Sequence, residues 1–224
     1  MASKKAVILL SGGLDSTTTL YYAKRKGYKC FCLLFDYGQR HKKELKAAVK
    51  LAKLNKCPYT VVKIALPWSK SALTDRKVKI PVKGKQIGKE IPVTYVPARN
   101  TIFLSFAASY AESIGAKRIF IGANALDYSG YPDCRPNYIK AYEKAVNLGT
   151  KSGVSGNKLK IETPLINLTK AEIIKLGTKL KVPYGLTWSC YKGGKKPCGV
   201  CDSCLLREKG FTEAKLSIKV CKGL

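Results

Sequence analysis

Acidic residues are scarce in this chain: 14 Asp and Glu face 42 Lys and Arg, leaving a formal net charge of +28. The excess is mostly lysine, spread from Lys4 to Lys222, and no arginine-rich stripe gathers it. A nucleic-acid surface is one reading, because phosphate contacts use Lys and Arg. A solvated basic surface is the other, and the even spread favours it, since recognition patches are clustered. Direct nucleic-acid binding is therefore not expected, although the positive field would draw in an anionic substrate and ATP. No apolar run reaches the roughly 18 residues of a membrane span, so no membrane segment is expected. Met1-Ala2-Ser3-Lys4-Lys5 leads straight into an apolar run with no signal peptide, so a cytoplasmic protein is expected. Nine cysteines, an odd number, argue against a closed disulfide framework and agree with a reducing compartment. Histidine occurs once, at His41, placed to cap a helix or lie on the surface rather than to act as a base. Internal repeats and low-complexity tracts are absent.

The most informative segment present is Ser11-Gly12-Gly13-Leu14-Asp15-Ser16, directly after the apolar run Ala6 to Leu10. A strand runs into a Ser/Gly turn, and a helix opens at an acidic residue and a hydroxyl. Glycines let backbone approach a phosphate, and the free N–H groups of a helix N-terminus point at it with the helix dipole behind them. No lysine follows the second glycine, so this is not the G-x-x-x-x-G-K-[ST] loop. Backbone amides and hydroxyls would hold the phosphate, and Asp15 is left free to hold Mg²⁺ through oxygen.

Along the rest of the chain, strand and helix patterns alternate. Ser16 to Lys26 reads as a helix stopped by Gly27. Cys30 to Phe35 is apolar throughout, fit for a strand buried on both faces. Leu45, Ala48, Val49 and Ala52 mark an amphipathic helix, and Tyr59 to Ile64 a third strand. Residues 67–96, broken by Pro and Gly, read as a flap over a site. Asn100 to Gly115 is a helix apolar almost all round. A strand at Arg118 to Gly122, a loop over 123–137, a helix from Tyr138 to Leu148 and a short strand at Lys158 to Glu162 follow. Thr169-x-x-Glu172 is a capping box opening a helix that ends before Pro183, and residues 185–210 read as irregular. Such alternation implies an α/β fold with a doubly wound parallel five-stranded sheet, whose ligands sit at the carboxyl ends of the strands. Residues 1–184 form the nucleotide-binding domain in this reading, 185–214 a small metal-stapled segment, and 215–224 a tail of no legible role.

Cys190, Cys198, Cys201 and Cys204 follow C-x7-C-x2-C-x2-C. Four thiolates with no open position describe a structural Zn²⁺ site. An iron–sulfur cluster and a redox Cys198-x-x-Cys201 pair are the alternatives. Cys30, Cys32, Cys57 and Cys221 read as ordinary cysteines.

The turn at Ser11 to Ser16 matches S-G-G-x-D-S and so resembles the N-type ATP pyrophosphatases, the PP-loop superfamily, with its adenine nucleotide alpha hydrolase-like fold. Three more segments narrow the likeness: Tyr95-Val96-Pro97-Ala98-Arg99-Asn100; Gly122-Ala123-Asn124 with Asp127 to Pro136; and the cysteine cluster. Together they resemble the 7-cyano-7-deazaguanine synthases, nitrile-forming ligases of queuosine and archaeosine biosynthesis, from about residue 4 to Ala214. Gly122-Ala123-Asn124 departs slightly from the usual Gly-Asn-Asn turn. The resemblance implies ATP, ammonium and the carboxylate of 7-carboxy-7-deazaguanine as substrates. The carboxylate is adenylated, ammonia displaces AMP to give an amide, and the amide oxygen is adenylated in turn before elimination to the nitrile. It also implies a homodimer, though no interface stripe is legible.

On this resemblance Ser11, Gly12, Gly13 and Ser16 cradle phosphates, Leu14, Thr17, Thr18 and Thr19 complete the first turn, and Leu9 and Leu10 lie against adenosine. Asp15 is the expected Mg²⁺ ligand. Arg99 binds a phosphate or the substrate carboxylate through its planar fork, or else makes a structural pair. Asp127 and Asp133 read the guanidine-like edge of the ring, Tyr128 or Tyr131 stacks on it, and Arg135 joins the substrate site. Each of these aspartates and tyrosines could equally serve a turn or packing. Cys134 is a tempting nucleophile that the chemistry does not require. A tRNA-modifying PP-loop enzyme, performing thiolation or lysidine-type ligation, is the nearest rival, and a non-catalytic zinc module that binds nucleic acid is the more distant one.

Overall fold

The computed structural model describes residues 4–82, 91–126 and 130–217. Five parallel strands make one sheet: β1 (Lys5–Leu9), β2 (Lys29–Asp36), β3 (Tyr59–Lys63), β4 (Arg118–Phe120) and β5 (Lys160–Glu162), in the order β3-β2-β1-β4-β5. From the central β1 the chain builds outward through β2 to β3, then crosses back to lay β4 and β5 on the other side. The order reverses between β1 and β4, which opens a crevice at their carboxyl ends.

Both faces of the sheet are covered, which is why β1 and β2 are apolar between their charged end residues Lys5, Lys29 and Asp36. Val7, Leu9, Leu33, Phe35 and Ile119 pack on one face against Leu104, Ala107, Ala108 and Ala111 of α3 (Arg99–Ile114). Ala6, Ile8, Leu10, Cys32 and Leu34 pack on the other against Leu20 of α1 (Leu14–Arg25) and Ala48 and Leu51 of α2 (Lys43–Leu54). Val7 and Ile8 are fully buried, each stabilising the fold by about 1.5–3 kcal/mol. Two helices, α4 (Pro136–Leu148) and the short α5 (Lys151–Val154), lead to β5. A capping box opens α6 (Lys170–Lys179): Thr169 Oγ1 accepts from the Glu172 N–H at 3.3 Å, and Glu172 Oε2 accepts from the Thr169 N–H at 2.8 Å.

Three sequence expectations need correction. Residues 185–210 are not irregular throughout, because α7 (Asp202–Glu213) begins immediately after Cys201. Cys204 and Gly210 hide the helical pattern. Gly210 is there for packing: a Cβ would strike Lys170 Cγ and lie 2.9 Å from Ile174 Cδ1, so α7 can sit directly on α6. The second correction is α4, which starts at Pro136, a residue preorganised for the first helical position. The third is α3, which is not buried all round. Asn100, Leu104, Ala107, Ala108 and Ala111 face inward, whereas Phe106 is 40% exposed.

The turn after β4 touches the start of α1. A Cβ on Gly122 would lie 2.9 Å from the Ser16 nitrogen and 3.0 Å from the Asp15 carbonyl carbon. Backbone meets backbone there, so neither side can yield by rotating a side chain. Gly122→Ala is expected to destabilise the protein by about 1–3 kcal/mol, a loss of several degrees in melting temperature. A thermal melt within one degree of wild type would show that the crevice tolerates the extra methyl.

Candidate active site

The crevice between β1 and β4 is a cavity of about 240 Å³. One wall is the turn at Ser11 to Ser16. Ser11 Oγ and Ser16 Oγ lie 2.9 Å apart, and Ser11 Oγ accepts from the Gly13 N–H at 3.2 Å. These contacts brace the turn while α1 begins at Leu14 behind it. The N–H groups of the first helical turn have no partner inside their own helix, so they present positive charge to the cavity. Leu9, Leu10, Ser11, Gly13, Leu14, Asp15 and Ser16 all line it.

Gly12, Thr17, Thr18 and Thr19 do not line it, contrary to expectation. Gly12 has φ +86°, and a Cβ there would lie 2.5 Å from the Ala48 nitrogen, so this glycine serves the close approach of the turn to α2. The three threonines are fully buried. Thr17 Oγ1 donates to the Gly13 carbonyl at 2.7 Å, and Thr18 Oγ1 pairs with the Tyr184 hydroxyl at 3.0 Å. Through these bonds Thr17 and Thr18 hold α1 in place.

The sequence left Asp15 free, but it is engaged. Lys170 at the start of α6 donates to both of its carboxylate oxygens at 2.8 Å, with side chains only 9% (Lys170) and 19% (Asp15) exposed. This is a charge-assisted fork that cancels the negative charge of Asp15 beside a site built for anions.

On the opposite wall Arg99 opens α3 and lines the cavity with Asn100, Phe103, Tyr131 and Cys134. Burial works against the charge of its guanidinium, but Tyr37, Tyr131, Asp133 and Cys134 more than offset that and hold it protonated. Phe35 and Phe103 stack at 3.9 Å between ring centroids, and Tyr37 meets Phe103 edge-on at 5.5 Å. This aromatic wall suits a planar ring. Tyr131 pairs with Thr94 through their hydroxyls at 2.7 Å.

Asp133 and Arg135 are placed elsewhere. Asp133 is buried, and its Oδ2 accepts from the Asn100 N–H at 2.9 Å. Ala98, the residue that should cap α3, is left-handed at φ +52° and makes no side-chain cap, so Asp133 supplies the capping carboxylate from a distance. Arg135 is exposed at the start of α4. Neither lines the cavity. The Cys134 thiol is pushed up to about 12, by burial first and by Asp133 second, which keeps it protonated and unsuited to nucleophilic attack. Asp127 and Tyr128 lie outside the described residues.

The sulfur atoms of Cys190, Cys198, Cys201 and Cys204 all lie within 4.8 Å of one another. Four thiolates about 2.3 Å from one ion would stand roughly 3.8 Å apart, so the set fits a tetrahedral metal with no open position. Hydrogen bonds from Cys201 and then Cys204 pull the Cys190 thiol well below the usual range, and the same contacts push the Cys201 and Cys204 thiols up. Around this cluster, segments that are distant in sequence meet the phosphate turn. The Trp188 N–H donates to the Gly12 carbonyl at 2.9 Å, and Trp188 Nε1 donates to the Cys190 carbonyl at 2.9 Å. His41 Nε2 also lies 2.9 Å from the Cys190 carbonyl, so His41 ties the loop before α2 to the cysteine segment rather than capping a helix or facing solvent. Arg207 of α7 donates to Thr187 Oγ1 at 2.7 Å and to the Tyr184 carbonyl at 2.8 Å.

Sequence reasoning missed Lys170, Glu44, Trp188 and Arg207, all of which line the cavity. A signal existed only for Glu44, a rare acid in a lysine-rich helix. Glu44 is pushed up to about 7 by burial, against the pull of Arg99 and a hydrogen bond with Ser11.

The model of one protein family, described as "Queuosine biosynthesis protein QueC", matches residues 5–215. A 7-cyano-7-deazaguanine synthase of Thermoplasma volcanium is 59% identical over 213 residues, covering 94% of this chain and 88% of that protein. A protein of the same name from Nostoc punctiforme is 56% identical over 216 residues, covering 95% and 96%. Among solved structures, the NMN synthetase of Francisella tularensis superposes with a TM-score of 0.51 at 16% identity, covering 96% of this chain and 79% of that one, a likeness of fold alone.

If the four thiols hold one metal, the purified protein should carry about one equivalent by elemental analysis. Cys201→Ser should lose it, together with much of the stability that metal binding contributes. A variant keeping both metal and melting temperature would remove the cluster from this role.

Proposed function

The chain belongs to the family of the queuosine biosynthesis protein QueC, and on that premise we propose that it converts 7-carboxy-7-deazaguanine and ammonium to 7-cyano-7-deazaguanine with ATP. One observation carries the proposal. The phosphate turn and the segments around Arg99 and Tyr131, far apart in sequence, open onto a single cavity.

The chemistry follows from the walls. Phosphates of ATP lie against the Ser11–Ser16 turn, where the helix N-terminus and the Ser11 and Ser16 hydroxyls receive them. Lys170, paired with both oxygens of Asp15, keeps that carboxylate from repelling them. The deazaguanine lies on the aromatic wall with its carboxylate toward Arg99, whose planar fork holds two oxygens at once. Carboxylate and α-phosphorus are then neighbours before any bond forms, which removes most of the entropic barrier. The same placement serves again once the carboxylate has become an amide, because the amide oxygen occupies the same position. Mg²⁺ accompanying ATP would neutralise phosphate charge, and Asp15 could ligate it only by exchanging or sharing Lys170. A structural Zn²⁺ is the metal that four cysteines in a closed set favour. Its binding residues would keep Trp188 against Gly12, and so keep the phosphate turn in shape. On the family resemblance, Asp127 and Tyr128 would recognise the ring edge.

The test is incubation with 7-carboxy-7-deazaguanine, ATP, Mg²⁺ and ammonium, followed by mass spectrometry. The nitrile, AMP and pyrophosphate are expected. Arg99→Lys keeps the charge but loses the fork, and should lower kcat/KM by roughly 10²-fold. Absence of nitrile with metal-replete protein would overturn the assignment.

A further inference from the structure

The proposed reaction makes opposite electrostatic demands. ATP and the carboxylate are anions, and Arg40, Arg99, Lys170 and Arg207 line the cavity. Ammonium is a cation that must both enter this positive site and lose a proton before its nitrogen can attack. The cationic walls oppose its entry, and only a carboxylate can offset them locally.

The acids of the site can be sorted by what already holds them. Asp15 is engaged through both oxygens by Lys170. Asp133 caps α3 and does not line the cavity. Glu44, in the first turn of α2, does line it, and among the described residues it is in no ion pair. Its carboxylate lies over the phosphate turn, where a Cβ on Gly13 would be 3.5 Å from Glu44 Oε1 and 3.3 Å from Ser11 Oγ. The groups acting on it come from each neighbouring element: Arg99 from α3, Ser11 from the phosphate turn, and Tyr37 from the end of β2. His41 lines the same cavity one turn before it. A permanently charged carboxylate here would repel phosphate. A group that exchanges a proton near neutrality would not, and burial places Glu44 at about 7.

We propose that Glu44 is the proton acceptor for the nitrogen donor, taking a proton from ammonium at the phosphate turn so that ammonia forms beside the acyl adenylate. This rests on the reaction proposed above. The balance is simple. Ammonium gives one proton to Glu44, and the freed lone pair attacks the acyl carbon. The C–N bond forms, the C–O bond to AMP breaks with its electron pair leaving on AMP, and the surplus proton on nitrogen passes to water. Glu44 returns its own proton to water before the next turnover.

Two readouts test it. Carboxylate-dependent exchange of pyrophosphate into ATP, measured without ammonium, reports adenylation alone. Amide and nitrile formation against total ammonium reports the nitrogen step. For wild type, kcat/KM for ammonium should rise with pH and level off above about 7, as Glu44 becomes fully ionised. Glu44→Gln should retain exchange and lose nitrogen transfer at neutral pH by roughly 10²-fold. Its remaining rate should keep climbing well above neutrality, because it then depends on free ammonia. Glu44→Asp should restore the plateau at a reduced rate. A Glu44→Gln profile that levels off like wild type would overturn the inference, as would loss of exchange in step with nitrogen transfer. Failure of wild type to exchange pyrophosphate would overturn the reaction itself, and this inference with it.

Discussion

The ion pair between Asp15 and Lys170 is the contact on which the site depends. A carboxylate in the first turn of α1 complements the helix dipole, yet at the mouth of a phosphate site it repels the ligand. Lys170 resolves the conflict by donating to both oxygens at 2.8 Å. The pair is largely buried, so removing either partner would leave a charge uncompensated, at a cost of about 3–5 kcal/mol. Lys170 has its own requirement, because its stem runs under α7, where only a glycine fits at position 210. A phosphate turn near the N-terminus therefore takes its electrostatics from a lysine at the start of α6 and its clearance from a glycine in the last described helix.

That dependence makes the cysteine segment part of the site. Trp188, Cys190 and Arg207 line the cavity, and the Trp188 N–H holds the Gly12 carbonyl. Tyr184 reinforces the link from the other side of α1, bonding Thr18 and the Ile173 carbonyl and meeting Phe211 edge-on at 5.5 Å between centroids. Its phenol is pushed up to about 12, chiefly by burial, and so stays a neutral hydrogen-bonding group. A metal held by the four thiols would thus act at a distance, through backbone placement rather than by touching substrate.

Much of this was legible in the sequence, for identifiable reasons. The phosphate turn is local: strand, turn and helix start are contiguous, and each residue type has a backbone role. The capping box at Thr169 and the cysteine spacing are local as well, and the parallel sheet follows from alternation. What escaped was set by tertiary contact. The partner of Asp15 lies 155 residues away. Asp133 has the residue type of a ligand but serves as the cap that Ala98, in its left-handed conformation, does not provide. Thr17, Thr18 and Thr19 look like a continuation of the phosphate turn, but an α-helix carries its second turn into the core. Helix α7 was hidden because its cysteine and its glycine answer to the cluster and to Lys170, not to amphipathic periodicity.

The scarcity of acid also has a consequence inside the cavity. With 14 acids against 42 bases in the whole chain, a negative group facing an anion site needs a local reason. Asp15 has one in Lys170, and Asp133 has one in the start of α3. Glu44 is in no ion pair among the described residues, and stands among the Ser11 hydroxyl that bonds it, the Tyr37 phenol and Arg99, whose charge pulls on it. An anion and a cation brought together in one small space cannot be served by a uniform field, whichever its sign. They require positive charge along the walls and a single proton-exchanging carboxylate at the point of attack. On the proposed chemistry, Glu44 is the one described cavity acid not already engaged elsewhere, and its place over the phosphate turn puts it where the adenylate would form.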